Sequence, residues 1–211
     1  NGFLVKAGLR SDFDASLGLR KWMPVPESPL TANMTVRNGN LADLLAMAGQ
    51  SAIPASGIAS ADVHIHGTYG NPLGAATFQV TNGAAYGQPL SRLVAAVNFG
   101  DQIITLSQAE VDSAAGSITM RGTFQHPRET VRAGHAEFHI AANNVQLVNI
   151  KPLQQQNAGV AGAIELTAGG AADLHIVNGE SHAILSNVRL DLAGRGLRVH
   201  NQDAGNLTAT A

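Results

Sequence analysis

"ADVHIHGTYGNPLGAATFQVTNG" spans Ala61–Gly83. Its first six residues alternate strictly. Ala61, Val63 and Ile65 point one way, and Asp62, His64 and His66 the other. A strand turns successive side chains to opposite faces, so this is a strand with a dry and a wet side. After Gly67-Thr68-Tyr69 and Pro72, Ala76, Phe78 and Val80 alternate with Thr77, Gln79 and Thr81. Asn82-Gly83 then predicts a hairpin turn, because both residues tolerate positive φ.

The pattern continues outward. Leu93, Ala95, Val97 and Phe99 alternate with neighbours of the other face, then Ile104 and Leu106. Ile118, Met120 and Phe124 alternate with Thr119, Arg121 and Thr123, and Ala136, Phe138 and Ile140 with His135, Glu137 and His139. Later strands carry Ile164 and Leu166, Leu174 and Ile176, then Val188, Leu190 and Leu192. Ten or more one-sided strands predict an all-β, antiparallel sheet. One segment departs from this. Leu41, Leu44, Leu45 and Ala48 fall at helical spacing, Asn40 can cap the start and Gly49 the end, so a short helix is expected at 40–49. Pro24–Pro29 is expected to be a loop.

Composition narrows the function. The chain has 211 residues, 45% apolar, 4% aromatic and 13% charged. A net charge of −2 gives no electrostatic case for nucleic acid. With no cysteine, disulfides and thiolate metal sites are excluded. No apolar run is long enough for a membrane span. The first residue is Asn, as expected of a piece of something longer.

Internal similarity organises the chain. "MTVRNGNL" from Met34 matches "FHIAANNV" from Phe138, and "GIASADV" from Gly57 matches "GVAGAIE" from Gly159. "AATFQVTNG" from Ala75 matches "AADLHIVNG" from Ala171, "LSRLVAAV" from Leu90 matches "LSNVRLDL" from Leu185, and "AGSIT" from Ala115 matches "AGNLT" from Ala204. The offsets are 104, 102, 96, 95 and 89 residues, in order. The expected organisation is a partial unit with the helix (1–56), a full unit (57–158) and a partial second unit (159–211), all one β module. A second pair, His66–Pro72 "HGTYGNP" and Arg121–Pro127 "RGTFQHP", lies 55 residues apart. It marks strand ends, with each proline expected to stop further pairing.

Catalytic motifs are missing: there is no P-loop, nucleophile elbow or His-Glu-x-x-His, and no paired carboxylates. An enzyme is not expected, and no cofactor is called for. His64 and His66 share a face about 7 Å apart, with Asp62 beside them. The plainer account is a solvent face that uses histidine, as His135 and His139 do, so no metal is assigned. The apolar stripes fit either a closed core or an open groove for acyl chains, and the residues alone leave this undecided.

"NGNLADLLAMAG", "GTYGNPLGAATFQVTNGAAYGQPLSRLVAAVNF" and "LSQAEVDSAAGSITMRGTF" stand in an order that resembles the AsmA-like family of diderm bacteria, which includes the translocation and assembly module proteins (TamB). The match is most specific over residues 57–124. The resemblance implies an elongated, curved sheet forming a U-shaped apolar groove. It implies a periplasm-spanning, inner-membrane-anchored protein whose anchor lies outside this chain. That protein would carry phospholipid between the membranes and support outer-membrane protein assembly with an Omp85-family partner bound elsewhere. By resemblance, the groove lining would be Val63, Ile65, Phe78, Val80, Leu93, Val97, Phe99, Ile104, Leu106, Ile118, Met120, Phe124, Phe138, Ile140, Ile164, Leu166, Leu174, Ile176, Val188 and Leu190. A charge at Val80 or Ile118 is then expected to block lipid loading without unfolding the sheet. The rival expectations are a structural or adhesive β-solenoid spacer and a strand-pairing chaperone for outer-membrane proteins.

Overall fold

Alternation without long helices leaves hairpin addition as the only economical way to pair every strand, and the chain follows it. A computed structural model describes residues 4–11, 25–47, 49–177, 180–200 and 202–211. The strands are β1 (Leu4–Ser11), β2 (Leu30–Asn40), β3 (Ala55–Gly67), β4 (Pro72–Ala85), β5 (Gln88–Gly100) and β6 (Ile103–Ser113). They continue as β7 (Gly116–Gln125), β8 (Gly134–Gln146), β9 (Ala161–Val177), β10 (Glu180–Val199) and β11 (Gln202–Thr210). All eleven lie in chain order in one antiparallel sheet, which stays open because β1 and β11 do not pair. This architecture is not a stack of solenoid coils.

The predicted helix is α1 (Leu41–Met47). Asn40 Oδ1 accepts from the Ala42 amide at 2.9 Å, and Gly49 takes a left-handed φ of 72° after the last turn. Ala48 lies outside the described residues, as does Pro24 of the expected loop. A second helix, α2 (Lys151–Gln156), follows a 3-10 turn at Leu147–Asn149. Alternation gave no sign of it: its single turn and a half is too short for a helical period.

Two turn expectations are corrected. Asn82-Gly83 is not a hairpin turn. β4 runs on to Ala85, and Tyr86-Gly87 make the turn. Asn82 instead sits at φ 49° inside the strand, where β4 carries one residue more than β3. Pro72 does not stop pairing either. It opens β4 opposite Gly67, a first-strand position where a missing amide is tolerated.

Asn82 belongs to a series. Asn38 in β2, Asn144 in β8 and Asn187 in β10 also have positive φ, and each coincides with a register shift. β6 gains its extra residue at Ser107-Gln108. Asparagine enters the left-handed region at low cost, so it suits a bulge. Bulges bend and twist a strand, and their repetition on the even-numbered strands curves the sheet.

Hydrogen bonds between neighbouring turns lace both rims. On the rim away from the helices, Asn71 of the β3–β4 turn reaches the β5–β6 turn. Its Nδ2 donates to Asp101 Oδ1 (2.9 Å), and its Oδ1 accepts from the Gln102 amide (2.8 Å). Arg128 pairs with Asp101 at 2.5 Å, and the His126 amide donates to the Gln102 carbonyl. On the helix rim, Gln88 accepts from the Lys151 amide and donates to the Asn149 carbonyl, which ties α2 back to β5.

The blocks that match between the two units do not fall strand for strand. Those at Gly57 and Ala75 lie on β3 and β4, whereas their counterparts lie at the start and end of β9 alone. The reason is local. The second unit has Ala168-Gly169-Gly170 where a Gly-Thr-Tyr-Gly-Asn-Pro turn would stand, so the strand continues through. The sheet crosses both expected unit boundaries without a break.

Candidate functional site: an apolar sheet face

Residues directly opposite in an antiparallel ladder share a face, so register fixes which side chains meet. One row reads Val36, Ala61, Phe78, Ala95, Ala109, Met120, Ile140, Ala168, Leu190. The row nearer the helices reads Gly39, Ala59, Val80, Leu93, Val111, Ile118, Ala142, Leu166, Leu192, Ala209. On the other side come Met34, Val63, Ala76, Val97, Leu106, Gly122, Phe138 and Gly170, and beyond them Ala32, Ile65, Gly74, Phe99, Ile104, Phe124, Ala136, Ala172 and Leu185. No polar side chain interrupts these four rows.

All twenty residues expected to line the groove share this face. Eighteen stand in the four rows or beside them in register: Leu174 lies opposite Gly134 and Ala183, and Ile164 opposite Val145 and Gly194. Ile176 follows Leu174 at a spacing of two. Val188 packs where a Gly170 Cβ would project, 3.3 Å from its Cγ2.

Members of the face that strict alternation misses are explained by the bulges. Ile104 and Leu106 precede the extra residue of β6, and Ala109 and Val111 follow it with opposite parity. Val145 after Asn144, and Leu185 before Asn187, escape for the same reason. For Val145 and Leu185 the signal in the sequence was an asparagine inside a strand; the Ser107-Gln108 bulge of β6 carried none.

The face is only thinly covered. Among the described residues nine apolar ones are buried, and six are alanines; no phenylalanine is among them, and Leu147 is the one leucine. A closed sandwich would bury its large side chains first. Here Ile118, Met120, Ile176, Leu185, Val188 and Leu207 remain well exposed. Cover is strongest at the β2–β4 end, where α1 lies on the face. Leu44 stands against Gly39, at 3.2 Å from where its Cβ would be, and Val36 is 1% exposed. Val80 is buried there too, at 2% exposure. A charge at Val80 would therefore be set in a buried corner, so Ile118 is the cleaner position for testing lipid loading.

Glycines level the floor beside the rings. Phe138 lies between Gly122 and Gly170, with its Cζ 3.2 Å from where a Gly170 Cβ would stand. At Gly74, φ is 130° and a Cβ would run into the His64 carbonyl oxygen, so only glycine fits.

The opposite face is polar. One row runs Asn33, His64, Ala75, Asn98, Thr105, Thr123, Glu137. Asp62 pairs with Arg37 at 2.6 Å and accepts from Thr35 at 2.9 Å; the Arg37 bond foremost holds its carboxyl below the usual range. His64 Nε2 is 3.3 Å from Asp62, and its Nδ1 is 3.1 Å from Asn33 Oδ1. Asp62 and His64 are thus held in a surface network. His135 Nδ1 donates to Asp173 at 2.7 Å, and that bond raises the imidazole pKa.

Among the described residues no three histidine, aspartate or glutamate side chains gather as metal ligands, and no helix is long and apolar enough to cross a membrane. No protein-family model, no curated protein and no solved structure matches the chain.

Proposed function

We propose that the chain is a length of passive lipid conduit, in which phospholipid acyl chains lie along the apolar face and headgroups remain in water. The observation that carries this reading is a set of polar-free rows crossing the curved sheet, with no covering second sheet among the described residues. Each methylene removed from water contributes about 0.8 kcal/mol. Half-covering a chain of about sixteen carbons would gain roughly 6 kcal/mol, enough for loading yet spread along a floor with no single deep pocket. An apolar strip of this extent calls for an occupant. No turnover is needed, and the chain is read as a non-enzyme. Through its resemblance to the AsmA-like translocation and assembly modules, we place it in the periplasm, within an inner-membrane-anchored protein that supports outer-membrane biogenesis. An Omp85-family partner would bind elsewhere on that protein.

The direct test is mass spectrometry of an organic extract of the purified chain. Stoichiometric phospholipid is expected. A stable, lipid-free monomer that takes up no phospholipid from vesicles would refute the reading.

A further inference from the structure

β9 and β10 are the longest strands, at 17 and 20 residues, and their joined end projects past both neighbours. β8 meets β9 no further than Leu174, opposite Gly134. On the other side β11 joins β10 only from Leu190 onward. The end is thus a two-stranded ribbon without a third strand on either side. Its side chains are correspondingly bare: Ile176 is 44% and Val177 48% exposed. A two-stranded ribbon is marginal in water by itself.

Two histidines face each other on this ribbon. His182 is the direct ladder partner of His175, and both are exposed. Neither imidazole has a hydrogen-bond or ion-pair partner among the described residues. They lie on the polar face, one step beyond the row in which His135 bonds Asp173. His135 is engaged; this pair is free.

We propose that His175 and His182 form a two-histidine site for a borderline divalent cation, zinc foremost. Directly opposed Cβ atoms lie about 4.5–5.5 Å apart. Zinc–nitrogen bonds of about 2.0–2.1 Å at a tetrahedral angle need nitrogens about 3.3 Å apart. Two imidazoles leaning together from opposed positions reach that separation. Water completes the shell, since among the described residues no third protein ligand stands with them. Neutral imidazole nitrogens select zinc, copper or nickel over magnesium or calcium. The bound ion staples β9 to β10 where neighbouring strands no longer hold them. The site does not depend on the lipid reading.

The test is calorimetric titration of the tag-free chain with zinc chloride at pH 7.5. One equivalent is expected to bind. His175→Gln and His182→Gln should each weaken it at least about tenfold, since lost outer-shell support alone costs that much. His64→Gln, elsewhere on the same face, should leave it unchanged. Circular dichroism checks that each variant keeps its sheet. Independently of any variant, zinc should slow amide exchange at residues 174–177 and 182–186. Absence of zinc binding, binding that survives in both variants, or unchanged exchange in that ribbon would each overturn the site.

Discussion

Ile118→Asp separates a lipid-bearing face from a protein core. Ile118 is 44% exposed, between Val111 and Ala142. In the lipid-free chain the carboxylate still reaches water. The change then forfeits about half of an isoleucine's burial, roughly 1–1.5 kcal/mol, and the sheet should stay folded. With an acyl chain laid across it, the same carboxylate is desolvated beside apolar neighbours. Leaving a polar group unpaired in such surroundings costs roughly 2–7 kcal/mol, more for an ion that must first take up a proton. Taking about 3 kcal/mol as the net loss, phospholipid affinity should fall about a hundredfold. Gln79→Glu, exposed on the polar face, serves as control and should retain lipid. The readouts are bound phospholipid by mass spectrometry and the circular-dichroism melt, on the same preparations. An Ile118→Asp chain that is folded and carries lipid at the wild-type level would refute the argument. So would equal lipid loss in the Gln79→Glu control.

Val80→Asp should behave differently, with a loss of stability above about 3 kcal/mol seen in urea denaturation, because its carboxylate would have no route to water. Asn71→Ala removes two side-chain hydrogen bonds between rim turns and should cost about 1–2 kcal/mol in the same assay, without loss of lipid binding. The His135–Asp173 bond gives a pH signature. Folding raises the His135 pKa above its ordinary 6.5, so its contribution is full below that value and fades as pH rises through the folded one. A denaturation series from pH 5 to 9 should show this decline in the wild type and lack it in His135→Gln.

Much of the sheet was legible because the chain is so regular. Strands with one dry face announce themselves by period two, and α1 by its leucine spacing and its Asn40 cap. The six-residue α2 is too short to show a helical period. Asn82-Gly83 misled because the same left-handed preference serves a turn or a bulge, and only the ladder partners of β4 distinguish them. The twenty residues expected to line a groove share one face, but Val111, Val145 and Leu185 were lost to bulges that reverse parity within a strand.

The sequence by itself determined the faces between bulges: within an uninterrupted stretch, alternation assigns each side chain to wet or dry, and short-range spacing suffices for that. It could not determine whether the dry face is covered, because cover is a relation between elements far apart in the chain. Tertiary structure decided that: among the described residues, eleven strands in serial order form one open sheet with no second layer, and α1 shields the β2–β4 corner. Burial therefore falls from Val36 and Val80 at that corner to Ile118 and Leu185 farther along, among side chains of the same apolar character. Hydrophobicity belongs to the residue, whereas contact with water belongs to the fold.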